Sequence, residues 1–222
     1  MSKKLIIWDF DGVIADTEKI WLQNRMELIN EKFGKNWNMD TTISFLAGMS
    51  DKTKKYVLEK LGIKTDDVFW KEAILRDLQK IVNGIMLTPG IEEIFKLQDF
   101  EQCIATGGTT AKTEKKIKSI GIEKYFPPEK IFTADMVAYG KPEPDLFLLA
   151  AKNMGFEREN CFVVEDSLAG IRAGICAGMN VIAFLGCELY NNLHIEEEIV
   201  NIGVSAIFHN MKDVKDYLLR KL

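Results

Sequence analysis

Short apolar runs, rich in β-branched residues and without polar alternation, recur along the chain. They are LIIW at 5–8, QCIAT at 102–106, KIFTA at 130–134, CFVVE at 161–165, NVIAF at 180–184 and SAIFH at 205–209. A strand with one wet face alternates apolar with polar residues, whereas one covered on both faces does not. These runs therefore predict strands of a parallel sheet flanked by helices. Between them the apolar positions fall at helical spacing, over 109–120, 143–155, 168–177 and 211–221. Strand and helix in alternation predict right-handed crossovers and an α/β, doubly wound parallel-sheet (Rossmann-like) core.

The rhythm fails between residues 17 and 82. Amphipathic stretches such as WLQNRMELINEKFG and KTKKYVLEKLG fill that span, with no run that reads as a buried strand. The expected organisation is an α/β catalytic core of 1–16 and 83–222, with a helical domain of 17–82 inserted after the first strand. Gly84, Pro89 and Gly90 punctuate the return to the core, ahead of a predicted helix at 91–97.

Charge narrows the function classes. Lys+Arg number 29 against Asp+Glu 33, a net charge of −4, which gives no general attraction to nucleic acid or an anionic membrane. No stretch approaches the roughly 18 apolar residues of a membrane span, and the apolar run after Lys3 and Lys4 is too short for a signal peptide. Cys103, Cys161, Cys176 and Cys187 show no metal-ligand spacing, and three of them lie in apolar segments, as buried thiols in a reducing compartment would. A cytoplasmic protein is expected.

Ligands of a doubly wound sheet bind beyond the carboxyl ends of its strands. Asp9 and Asp11 follow the first run, and Thr106, Gly107 and Gly108 follow the second. Lys141 lies in GKPEPD after the third, and Glu165, Asp166 and Ser167 follow the fourth. Each fragment has a plain structural reading. A DxD after a strand is commonly a turn or capping cluster; TGGTT can be a helix-approach loop; Lys141 can be solvated; Asp166 and Ser167 are good N-caps. Their arrival in order at successive strand ends is what calls for a common purpose. Carboxylates with a lysine and a hydroxyl suit phosphoryl transfer. A hard cation such as Mg²⁺ takes the carboxylates, lysine and hydroxyl hold phosphate oxygens, one aspartate attacks phosphorus, and the other manages the proton.

DFDGVIADT, the Thr106 strand end, GKPEPD and VVEDSLAGIRAGICAGM together resemble the four motifs of the haloacid dehalogenase superfamily, in its phosphatase and β-phosphoglucomutase-like branch with a helical cap. The resemblance implies Asp9 as nucleophile and Asp11 as general acid/base, with Thr106 and Lys141 holding the phosphate. It implies Mg²⁺ held by the Asp9 side chain, the Asp11 backbone carbonyl and Asp166, with Glu165 close by. Gly12, which lets the chain turn beside the phosphate, and Gly107 are expected at the substrate, with Trp21 and Ser50 from the cap.

The implied activity is hydrolysis of a small phosphomonoester, a sugar phosphate or phosphorylated sugar acid, through an aspartyl-phosphate. A mutase is the alternative. Mutases of this branch carry a histidine twelve residues after the nucleophile and an arginine near the cap loop; here Trp21 and Asp51 stand at those places. A phospho-aspartate receiver module is remote, since its phosphorylated aspartate lies on a middle strand and it has no helical insert. The partner is a phosphorylated metabolite, with no nucleic acid or membrane, and a monomer is expected. Glu18, Asn24, Arg25, Gly48, Met49 and Lys52 are further candidates for the mouth of the site. The segment FPPEKIFTADMVAYGKPEPDLFLLAAKNMG is similar to phosphatases acting on 6-phosphogluconate. His194 and His209 are expected to be structural.

Overall fold

Leu5, Ile6, Ile7 and Trp8 are all completely buried, the environment that their unbroken apolar run requires, because the strand they form is covered on both faces. The computed structural model describes residues 3–47, 51–82, 84–187 and 195–222. Gly48, Met49, Ser50 and His194 lie outside the described residues, as does the side chain of Lys52.

Strand β1 spans Lys4–Trp8. Helices α1 (Glu18–Phe33), α2 (Met39–Leu46), α3 (Asp51–Lys60) and α4 (Asp67–Val82) follow. The chain then continues as α5 (Glu92–Phe95), β2 (Phe100–Thr106), α6 (Thr110–Ile120), β3 (Ile131–Thr133), α7 (Asp145–Met154), β4 (Cys161–Glu165), α8 (Leu168–Cys176), β5 (Asn180–Phe184), α9 (Glu196–Ile202), β6 (Ala206–Phe208) and α10 (Met211–Leu219). It divides into two compact units, residues 1–16 with 86–222, and residues 17–85.

In the first unit the six strands form one parallel sheet in the order β3-β2-β1-β4-β5-β6. The chain moves outward from β1 through β2 to β3, then returns past β1 to β4. The order therefore reverses between β1 and β4, where a doubly wound sheet opens its ligand crevice. Backbone pairing carries on past the end of β1, with Asp9 N–H donating to the Val164 carbonyl at 3.0 Å. β6 closes one edge and is only half-buried, so its apolar run overstated its burial. The short α9 has no counterpart among the predicted helices. Its seven residues are too few to display a helical period.

The sheet accepts helix α8 at close range. A β-carbon on Gly174 would lie 2.7 Å from Val181 Cγ2, so a side chain there would push the helix off the sheet. Trp8 Nε1 donates to Gln102 Oε1 at 3.0 Å, and Gln102 Nε2 donates to the Ile94 carbonyl at 2.8 Å, so the buried indole and amide satisfy one another. After β1 the chain folds on itself. Gly12 N–H bonds to Ala15 O, Thr88 N–H to Ile14 O at 2.9 Å, and Thr88 Oγ1 to Val13 O at 2.6 Å; Ala15 bridges Leu87.

The second unit is helical. Its core contains a buried carboxylate, Asp77 of α4, which accepts from Asn24 Nδ2 and from Arg25 Nη1 and Nη2, each at 2.9 Å. Arg25 Nη2 also reaches Asp51 Oδ1 at 3.3 Å. Asn24 and Arg25 were expected at the mouth of the site. Both are instead buried inside this unit, because a carboxylate removed from water needs charged and polar partners. Trp21 is buried as well, and Glu18 lies 3.5 Å from Lys54. Among the described residues, no helix is long and apolar enough to cross a membrane.

Candidate active site

Two adjacent strands, β1 and β4, end in acid at the reversal of strand order. Asp9, Glu165 and Asp166 are all buried there, and one carboxylate oxygen from each lies within 4.8 Å of the others. Like charges this close raise each other's cost of ionisation, and a lysine answers part of it. Lys141 Nζ donates to Asp9 Oδ1 at 2.5 Å and to Glu165 Oε1 at 2.7 Å, and its stem packs so that Nζ lies 4.9 Å from the Phe147 ring centroid.

The electrostatics follow. Burial pushes the Asp9 carboxyl up to about 7; Lys141 opposes that shift, while Glu165 and Asp11 add to it. Burial works against the Lys141 ammonium too, but Asp9 and Glu165 outweigh it and hold its pKa above the ordinary lysine value. The cluster thus holds more carboxylate than cation, and a hard divalent cation suits the deficit. Its preferred ligands are hard oxygens, and Asp9, Asp166 and Glu165 offer them from rigid strand ends. A second observation fits. Gly12, at φ 88°, approaches Asp166 so closely that a β-carbon there would lie 1.8 Å from Oδ2. Any side chain would fill the space that lets the Asp166 carboxylate face Asp9's turn.

Glu165 is held from three sides. Besides Lys141, its Oε2 accepts from Ser167 N–H at 2.6 Å and from Ser167 Oγ at 3.0 Å. Ser167 caps α8 by accepting from Gly170 N–H at 3.1 Å. Gly170 leaves the room: its β-carbon would lie 1.7 Å from Glu165 Oε1. The two glycines of AGIRAG, Gly170 and Gly174, thus have different reasons, one at the carboxylate and one at the sheet.

Thr106 ends β2 with its side chain buried, Oγ1 accepting from Gly108 N–H at 3.2 Å, and this bond shapes the loop ahead of α6. Gly107 is exposed, with open space where a side chain would be. Asp135 steadies the same loop by accepting from Thr110 N–H at 3.2 Å.

Asp11 has a lysine of its own. Both its oxygens accept from Lys116 Nζ of α6, at 2.8 and 2.6 Å. Burial pulls the Lys116 pKa below the ordinary lysine value, with Asp11 opposing. Lys116 was missed by the sequence reading. The available signal was its place at buried helical spacing with Thr113 and Ile117, a lysine on the face that meets the sheet. Of the expected residues, Asp9, Glu165, Asp166 and Lys141 come together directly, and Asp11, Gly12, Thr106 and Gly107 belong to the same strand ends. His209, remote from them in sequence, has Nδ1 3.3 Å from the Leu185 carbonyl.

The chain is similar to known proteins in sequence and in fold. A phosphatase of phosphorylated carbohydrates from Thermotoga maritima is 25% identical over 178 residues, covering 78% of this chain and 81% of its own. A 6-phosphogluconate phosphatase from Escherichia coli is 38% identical over 82 residues, 37% of each chain. The crystal structure of ATU0790, a haloacid dehalogenase-like protein of Agrobacterium tumefaciens, superposes with a TM-score of 0.86 at 25% identity, covering 99% of both chains. The family model described as haloacid dehalogenase-like hydrolase matches residues 6–184, a span that runs from β1 to the end of β5 and holds every carboxylate of the site. This chain belongs to the haloacid dehalogenase-like hydrolase family.

Proposed function

We propose that the protein hydrolyses a small phosphomonoester, a sugar phosphate or a phosphorylated sugar acid, through a covalent phosphate on Asp9. Phosphomonoester hydrolysis as the class of reaction follows from the family and from relatives named as phosphatases. The observation that carries the assignment to Asp9 is its place between Lys141 and the Glu165–Asp166 pair, buried at the strand-order reversal.

Bound Mg²⁺, held by Asp9, Asp166 and Glu165, would supply positive charge that offsets repulsion between an attacking carboxylate and an anionic phosphate. The chain's own residues do the rest. An Asp9 carboxylate oxygen attacks phosphorus and forms the Asp9–O–P bond as the bond from phosphorus to the leaving oxygen breaks. Asp11 gives that oxygen a proton, so the leaving group departs as the neutral alcohol and Asp11 is left as carboxylate. Asp11 then takes a proton from water, whose oxygen attacks phosphorus, and the Asp9–O–P bond breaks to release inorganic phosphate and regenerate Asp9. Lys141 holds a phosphate oxygen and keeps Asp9 oriented; Thr106 and Gly107 shape the loop that receives the phosphate. Specificity for the leaving group is assigned in this reading to the helical residues 17–82.

Hydrolysis is favoured over mutase chemistry by Trp21. It occupies the position twelve residues after Asp9, its side chain is buried, and an indole accepts no proton from a sugar hydroxyl. Asp51 pairs with Arg25 and offers no cation for a second phosphate.

The test is phosphate release across a panel of sugar phosphates and 6-phosphogluconate with Mg²⁺. Wild type should turn over members of the panel, and Asp9→Asn should form neither phosphate nor a phosphoprotein. An Asp9→Asn protein that keeps more than a few per cent of wild-type turnover would remove Asp9 from the nucleophile's role. With β-glucose 1-phosphate and trace bisphosphate, inorganic phosphate should appear; accumulation of glucose 6-phosphate instead would establish the mutase.

A further inference from the structure

Lys116 is an expensive residue for the fold to keep. Its side chain is 0% exposed, and desolvating an ammonium is costly unless something charged receives it. What receives it is the Asp11 carboxylate, gripped through both oxygens. Helix α6 would bury Thr113 and Ile117 against the sheet as well with an apolar residue at 116. Nζ also lies 4.3 Å from the centroid of the Phe10 ring, between the two aspartates in sequence, which forms another wall of its slot. Asp11 itself is 31% exposed at its side chain. The lysine is therefore wholly buried, while the carboxylate it holds stays partly open to solvent.

A carboxylate two residues from Asp9 has an obvious competing place to go. It could swing towards the cation that Asp9, Glu165 and Asp166 would share. There it would become one more ligand and be useless for moving a proton. We propose that Lys116 is a positioning residue for proton transfer: it fixes the Asp11 carboxylate beside the Asp9–Glu165–Asp166 cluster, oriented towards the leaving oxygen. The inference rests on the reading of Asp11 as general acid and base, and Lys116 itself touches neither substrate nor phosphorus.

The experiment compares two substrates on the full-length protein with Mg²⁺. One is a sugar phosphate, whose alkoxide leaving group needs a proton; the other is an aryl phosphate, whose phenoxide leaves without one. Lys116→Met should lower kcat for the sugar phosphate roughly 100-fold, the lower range of what a general acid contributes, with KM little changed. With the aryl phosphate the first turnover should keep its rate and then stall, and phosphoprotein should accumulate in intact-mass spectra, because water activation by Asp11 becomes limiting. In the Asp11→Asn background, Lys116→Met should change turnover by no more than about twofold, the limit of ordinary additivity error. Equal losses on both substrates without phosphoprotein, or losses that multiply in the double variant, would overturn the proposal and leave Lys116 a structural ion pair. Should Lys116→Met fail to fold by near-ultraviolet circular dichroism, Lys116→Gln carries the same comparison with one donor retained. Failure of the parent reading looks different: Asp11→Asn alone would then turn over the sugar phosphate normally.

Discussion

Lys141 and Asp9 lie 132 residues apart in the chain and 2.5 Å apart in space, and the same ammonium reaches Glu165 at 2.7 Å. The lysine is the cation on which two buried carboxylates converge. In Lys141→Met those carboxylates would face each other uncompensated, and the phosphate would lose the donor proposed for it. Loss of one such charge-stabilising donor lowers kcat/KM by roughly 10²–10³-fold. Steady-state phosphate release checks it, with circular dichroism to establish that the variant folds.

Metal dependence should be absolute. Excess chelator should abolish phosphate release, Mg²⁺ should restore it, and Ca²⁺ should restore little, because it seeks longer bonds and more ligands than the strand-end carboxylates provide. Asp166→Ala should weaken Mg²⁺ binding in calorimetric titration. Full turnover in chelator would show that the cluster of Asp9, Glu165 and Asp166 serves another purpose.

Gly170→Ala should damage the site without touching a reacting group. The added methyl would meet Glu165 Oε1 at 1.7 Å, so either the carboxylate or the start of α8 must move. A cost of about 1–3 kcal/mol is typical of such overpacking, and turnover should fall with it as Glu165 loses Lys141. Gly174→Ala is the control. It collides with Val181 and should lower stability in a urea titration while kcat of the folded fraction stays near wild type.

The helical unit should depend on Asp77. Asp77→Ala leaves the Arg25 guanidinium buried with only the 3.3 Å contact to Asp51 in place of its two bonds to Asp77. Removing one partner of a buried pair costs about 3–5 kcal/mol, so chemical denaturation should show an early transition. Asp77→Leu paired with Arg25→Met should recover much of that loss, since an apolar pair has no desolvation cost.

The strands of the core were legible because parallel sheets bury both faces, and runs such as CFVVE show no polar alternation before their last residue. The strand-end residues could be read from the same logic, since topology alone brings the residues after β1, β2 and β4 to one edge. Lys116 was hidden because a lysine in TAKTEKKIKSI looks like any other solvated charge until the helix is turned against the sheet. Asn24 and Arg25 misled for the converse reason. Polar groups near the entrance of an insert suggest ligand contact, whereas Asp77, some fifty residues later, claims them. Long-range polar pairing leaves no period for a sequence reading to find.

The backbone stitches where the insert leaves and returns have a further consequence. Val13, Ile14 and Ala15 are hydrogen-bonded or bridged to Leu87 and Thr88, so both ends of the intervening segment are anchored on the core at neighbouring points. The entropy of closing that loop grows only slowly with its length, and the core holds the closure with bonds of its own. The segment is therefore a cassette in the engineering sense. Its helices can be lengthened, rebuilt or exchanged for others while the anchoring bonds and the turn carrying Asp9, Asp11 and Gly12 keep their register, so that variation in the insert is decoupled from the core's own backbone pairing.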